Sequence, residues 1–437
     1  MKKIFSYLIQ FQIYNFKFFL VFLLFFNFLS AQDYSFDFEK FEKTPYEHIG
    51  IFKMQSDISK LNNSSNLYKL SFFNKEEKDF WDSHYASIQL KGSYEISKFK
   101  FTLDLKDKLS YTSNDEFEND FSIYESFLNS NLSINFDSQI GKKSVKWGKG
   151  YIWNPVSFVG RQKDINNINA GLEGFWMLKL NYVKSLSGIL QNFSISPVII
   201  PVNKEINADF SDVDNINFIM NNYFLIADID FDTYLFFENS EFKKFGADFA
   251  CNVLANWEIH AEYVFEKDVV TNSLNSNFNV GSMVDNSHKC LFGTKILFET
   301  NTTVILEYLH NDSGLDKEQM INFYDAIDSA ISGNPALLPI IKDYQFENFT
   351  NQFLMKDYLY FKFSHPEPFN VLYFIPSIFV LYNLNDNSKM IGVEFSYSRF
   401  NNLNLKLKYN LLFGDLNSEF GGKTSSNKLS FRFDYTF

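Results

Sequence analysis

The sequence predicts an all-β protein: a transmembrane antiparallel up-and-down β-barrel of about eighteen strands, with sixteen as the alternative. Three observations carry this. Apolar and polar residues alternate at period two along most of the chain. Aromatics make up 19% of residues, yet mean hydropathy is −0.19. The connections between alternating stretches are short at one end and long at the other. A barrel in lipid puts large apolar side chains outside and polar ones inside, which reconciles abundant aromatics with an unremarkable mean hydropathy. A soluble sandwich array would need Gly/Pro-rich turns, whereas 437 residues hold only 18 Gly and 9 Pro.

The N-terminus reads as an export signal. Lys2, Lys3 and Lys17 precede the apolar run Phe18 to Phe26, and small residues follow to Ala31. Residues 1–31 are therefore expected to be removed; 32–65 then form a periplasmic segment and 66–437 the barrel. The run is short for a spanning helix. The segment holds three Lys and no acid, so its removal takes the formal charge from −12 to −15. That acidity argues against nucleic acid as a partner. The expected partners are outer-membrane lipid and lipopolysaccharide, with the Sec translocon and the β-barrel assembly machinery during biogenesis. Nothing marks a subunit interface, which leaves homo-oligomerisation open.

The strands read clearly. In "KFKFTLDLKDKLSY" the odd positions are Phe99, Phe101, Leu103, Leu105, Leu109 and Tyr111, broken only by Asp107. In "WEIHAEYVFE" Trp257, Ile259, Ala261, Tyr263 and Phe265 oppose Glu258, His260, Glu262 and Glu266. Read back from the C-terminus, strands fall at 428–437, 403–413, 389–398, 370–384, 353–365, 302–310, 288–298, 257–266 and 245–255. Continuing, they fall at 230–238, 217–228, 189–199, 173–184, 131–141, 120–129, 98–111 and 84–96. Even parity requires one more, and "NLYKLSFF" (66–73) is the candidate. Short periplasmic turns and long extracellular loops follow, the long ones at 112–119, 142–172, 267–287, 311–352 and 414–427. The terminal strand "KLSFRFDYTF" alternates without a break, and a barrel requires it to seal against the first strand.

That strand's aromatic end, with Tyr435 and Phe437, resembles the C-terminal signal read by the assembly machinery of Gram-negative outer-membrane proteins. The tract at 140–176 is similar to one in a poorly characterised porin-like family, through Gly141-Lys142, Trp147-Gly148 and Asn154-Pro155. The resemblance covers under a tenth of the chain and implies a barrel with an ordered first loop.

Parity sorts the charges. Lys91, Lys98, Lys100, Lys106, Lys108, Lys406, Lys408 and Arg432 are expected to face the lumen beside the closure seam. Asp228, Asp230, Asp232, Glu238, Asp248, Glu258, Glu262 and Glu266 are expected to face it from half a barrel away. Opposed basic and acidic walls would set a transverse field across a pore. Loop 142–172 offers Lys142, Lys146, Trp147, Trp153 and Arg161 as ligand candidates, cations interleaved with aromatics. In loop 311–352, Met320, Phe323, Ile327 and Ile331 share helical spacing, and a helix folded into the mouth would narrow it.

Catalytic and metal signals are weak, and neither an enzyme, a metal nor a cofactor is expected. Glu258, His260 and Glu262 share a strand face at a spacing too wide for one metal. His310, Asn311 and Ser313 superficially suit a hydrolase, but neighbouring strand residues alternate faces. Cys251 and Cys290 share the outward parity with a strand between them, so two free thiols are expected. The expected function is a porin-like outer-membrane channel for passive diffusion of small hydrophilic or charged solutes. The alternative is a surface barrel that binds polysaccharide without an open pore.

Overall fold

A computed structural model describes residues 44–113, 116–165, 171–211, 213–349 and 354–437. The expected export signal lies outside these residues. The described chain forms one closed antiparallel sheet of eighteen strands. In order they are β1 (Tyr46–Leu61), β2 (Phe80–Ile96), β3 (Phe99–Thr112), β4 (Glu116–Ser133), β5 (Phe136–Lys143) and β6 (Phe175–Ser185). Then follow β7 (Leu190–Val202), β8 (Asn215–Ile226), β9 (Ile229–Glu238), β10 (Glu241–Leu254), β11 (Trp257–Leu274) and β12 (Val280–Leu297). The last six are β13 (Thr303–Asn311), β14 (Asp357–Ser364), β15 (Phe374–Asn383), β16 (Lys389–Tyr397), β17 (Leu403–Phe413) and β18 (Ser425–Thr436). Each strand pairs with its neighbours in sequence, and β1 pairs with β18 to close the barrel.

Closure removes every sheet edge, so no ladder N–H or C=O is left to face an apolar solvent. The outward rows are apolar and exposed: Phe99 and Phe101 on β3, Phe361 and Phe363 on β14, and Leu429 and Phe431 on β18. The inward rows carry the charges.

The sequence misplaces the first strand. Residues 66–73 are not a strand: Asn66–Ser71 is a helix, α1, capped by the Ser65 side chain, which accepts the Tyr68 N–H. The strand is β1, inside the stretch expected to precede the barrel. Its lumen-facing row opens with Ile49 and Ile51, and Ser56 sits on its outward row, so the alternation is blurred. Two expected long loops are also absent. β4 begins at Glu116, and β11 and β12 extend until only residues 275–279 join them.

Turns at the end where β1 begins are mostly tight, including 97–98, 134–135, 227–228 and 255–256. Ala227 and Asp228 both have positive φ, 50° and 63°, the geometry of a two-residue turn whose twist matches its strands. Asp228 is therefore a turn residue, hydrogen-bonded by Gln191 Nε2 at 2.9 Å, and not part of a lumen wall. The opposite, far end carries the long connections 62–79, 144–174, 312–356 and 414–424.

Candidate functional site

The far-end loops turn inward. Segment 144–174 docks on the lumen face of β6 to β11, where Val145, Trp147, Val156 and Val159 bury against Val198, Ile200, Ile219, Tyr234 and Val264. Segment 312–356 holds α2 (Lys317–Ser332) and α3 (Leu338–Phe349). Asp316 caps α2 in a capping box with Gln319, which fixes where the helix starts. Met320, Phe323 and Ile327 are fully buried, as their spacing requires, with Leu291, Leu309, Tyr358, Tyr360 and Leu381 of the wall. Asn66 of α1 donates to Tyr324 O at 3.3 Å and Asp328 Oδ2 at 3.2 Å, and the Tyr324 hydroxyl donates to Ser418 O at 3.1 Å. Burial and nearby Glu419 push the Tyr324 phenol well above its ordinary pKa.

The acidic wall is real but occupied. Asp232, Asp248 and Glu262 stand in one cross-strand row on β9, β10 and β11. Three carboxylates in register repel one another unless something answers them. Segment 144–174 does so. Lys149 Nζ lies 2.8 Å from Asp232 and 3.8 Å from Asp248. Burial works against its charge, but the two carboxylates outweigh burial and hold the ammonium above the usual lysine range. Glu262 Oε1 accepts the N–H of Lys149 at 2.7 Å and of Gly150 at 2.8 Å, and Oε2 accepts from Val156 at 3.2 Å. Glu307 on β13 accepts the N–H of Tyr151, and that of Ile152 at 3.0 Å. The Tyr151 hydroxyl donates to Glu258 at 3.1 Å. Glu266 is bound on both sides by Lys244 and Lys289, each at 2.7 Å. The expectation that these acids line an open pore is thus corrected: Asp232, Asp248 and Glu262 are buried at 6%, 2% and 2% exposure. Of the remaining two, Asp230 accepts from the Tyr223 hydroxyl and Glu238 from Asn215 Nδ2.

The loop ligand candidates are largely anchors. Trp153 is 1% exposed and Trp147 is 8% exposed, the latter 5.3 Å from the Tyr234 ring. Lys142 pairs with Glu173, and Arg161 pairs with Asp209 and covers the Phe175 ring at 4.7 Å. Lys146 is exposed.

The basic wall has a different fate. Register places Lys91, Lys100, Lys106 and Lys108 on the lumen side of β2 and β3, and Lys406, Lys408 and Arg432 on that of β17 and β18. Lys98 sits at the turn before β3. Lys91 pairs with Glu125 at 3.2 Å, and Lys100 with Glu47 at 3.3 Å. Higher up, a cavity of about 290 Å³ straddles the seam from β16 to β3. Its walls carry Lys106, Lys108, Lys406, Lys408, Lys428 and Arg432 with Asp57, Glu394 and the loop residue Asp164.

Sequence reasoning missed Glu307, Lys428 and Asp57. Glu307 stood out as the one acid in "TVILEYLHN", on the lumen parity. His310 engages Asp357 through Nδ1 and Asp312 through Nε2, each at 2.8 Å, while Ser313 Oγ donates to Asn311. No ring nitrogen faces the serine. Among the described residues no group of His, Cys, Asp and Glu side chains could hold a metal. Cys251 and Cys290 are both free.

No family model and no curated sequence matches the chain. Solved structures do. A mutant porin of Rhodopseudomonas blastica shares 11% identity over 90% of this chain and all of that one, with a TM-score of 0.42. OccD3 of Pseudomonas aeruginosa shares 10% identity over 89% of this chain and 91% of that one, with a TM-score of 0.47. At these values the likeness stands beside the barrel, and the functional argument rests on the chain's own residues.

Proposed function

We propose that this chain is a porin-like channel of the Gram-negative outer membrane, through which small hydrophilic and charged solutes diffuse passively. One observation carries the reading. The inward loops fill the lumen from β6 round to the far-end part of β16 and leave a charged cavity along the β16–β3 seam. A barrel of this size encloses water unless something fills it, and here the filling is one-sided. The apolar exterior suits the hydrocarbon layer, with Tyr435 and Phe437 exposed on the outer face as the assembly signal. The far end, with its long loops, faces the cell exterior and lipopolysaccharide. Export through Sec, cleavage after Ala31 and insertion by the assembly machinery complete the reading. The mechanism needs no covalent chemistry: the wall hydrates the solute and segment 144–174 narrows the path.

Burial of Trp147 and Trp153 leaves the surface-binding alternative without its stacking platform. Recording single-channel current from the chain starting at Gln32, refolded into a planar bilayer, tests the proposal. Steady current steps support it. A correctly folded barrel that stays silent removes the channel reading.

A further inference from the structure

The barrel holds two rows of like charge; the acidic one is fully answered by the inward loop, the basic one only in part. Asp232, Asp248 and Glu262 meet Lys149 and three loop N–H groups. On the opposite side Lys406 and Arg432 stand directly across from each other on β17 and β18. Like charges directly opposite on an antiparallel pair oppose folding. Gln55 of β1 continues that row beyond Arg432 and adds no charge. The nearest relief for Arg432 is Asp434 on its own strand, at 3.1 Å. Lys106 lines the same cavity from β3, its Nζ 2.9 Å from the hydroxyl of Tyr124 on neighbouring β4, a neutral partner. Six cations and three carboxylates share the walls of 290 Å³; Lys428 and Asp57 pair with each other at 2.8 Å, and the remaining five cations and two carboxylates leave the space net positive. One of the three carboxylates, Asp164, belongs to the inward loop and not to the barrel wall.

We propose that the seam cavity is a binding site for small anions carrying two or more negative charges, carboxylates or phosphates, and that Asp164 is a built-in competitor for it. The site names the solute class of the channel proposed above and rests on that reading. A polyanion entering the cavity does for Lys406 and Arg432 what the loop does for the acidic row, adding counter-charge beyond that of Asp434. Asp164 holds part of that place when no solute is present. The incoming anion must displace it, which keeps affinity low enough for release and flow.

The test titrates citrate and inorganic phosphate into the detergent-folded chain starting at Gln32, by calorimetry at low ionic strength. Citrate binds the wild type and is displaced by phosphate. Asp164→Asn binds citrate roughly five-fold more tightly, because one repelling charge is gone. Lys406→Gln with Arg432→Gln weakens binding by about ten-fold or more. Lys106→Gln, from the other side of the cavity, gives the same direction if the double variant fails to fold. Absence of citrate binding by the wild type overturns the proposal, as does unchanged or weaker binding by Asp164→Asn. Bilayer current separates the two readings. Citrate binding without current counts against the channel and leaves the site standing. Current without citrate binding, or without anion preference, overturns the site and leaves the channel.

Discussion

Glu262 and Gly150 lie 112 residues apart and meet through a 2.8 Å hydrogen bond from the Gly150 N–H to the Glu262 carboxylate. The same oxygen accepts the Lys149 N–H and Asn154 Nδ2, so one buried side chain organises a whole turn of the inward loop. A carboxylate presents about four lone-pair sites, and this one fills them with donors that a buried loop would otherwise leave unpaired.

Glu262→Gln therefore loosens segment 144–174 without emptying the space. A carboxamide has one acceptor oxygen and turns two N–H groups toward donors, at a cost of about 1–3 kcal/mol per buried group left unpaired. Trypsin should cut the folded variant at Lys149 or Lys163 while sparing wild type. Equal protection would show that Glu262 does not hold the loop.

Gly150 has no room for a side chain. A Cβ there would lie 2.0 Å from Trp153 O and 2.4 Å from Leu291 Cδ2. Gly150→Ala should expel this turn and raise single-channel conductance and noise together. Unchanged current would place the turn outside the solute path.

Trp153→Ala tests whether the loop aromatics anchor or bind. As an anchor, Trp153 leaves a cavity at a local cost of about 3–5 kcal/mol. Protease sensitivity should rise, with added sugars or carboxylates giving no protection. Ligand-dependent protection that is lost in the variant would restore the stacking role.

Glu419 gives the far-end lid a pH dependence. It is buried, it accepts from the Tyr358 hydroxyl at 2.9 Å and Asn383 Nδ2 at 2.7 Å, and burial raises its carboxyl above the usual range. The folded state thus favours the protonated acid. Its stability contribution is complete below the unfolded glutamate pKa and is lost as pH rises through the folded one. Hydrogen exchange in segment 414–424, corrected for intrinsic rates, should slow on acidification, and Glu419→Gln should remove the trend. A trend that survives in the variant would assign it elsewhere.

The strands were legible because each carries its own signal: Phe99 to Tyr111 alternate whatever lies beside them. β1 was not, because Ile49 and Ile51 turn apolar side chains inward and mask the period. Lys106, Lys406 and Asp248 lie on the inward rows, but parity is blind to what covers a face. Whether Asp248 lines water or a docked loop depends on Lys149, about a hundred positions earlier, and no local pattern links them. Trp147 and Trp153 were misread for the same reason. An aromatic among lysines reads as a ligand platform until the strand that buries it is known.

The seam on which the basic cavity lies is also the joint of the barrel that spans the greatest sequence separation. β9, β10 and β11 meet as successive hairpins, so the acidic row assembles from neighbours in sequence. Lys406 and Arg432 sit on β17 and β18, whereas Lys106 and Lys108 sit on β3, and only the β1–β18 pairing brings the two groups together. Joining ends that far apart is the costliest loop closure in the chain. The basic cavity is complete only where that pairing is made, and occupancy of the cavity distinguishes a sealed barrel from a sheet that has curled but not closed.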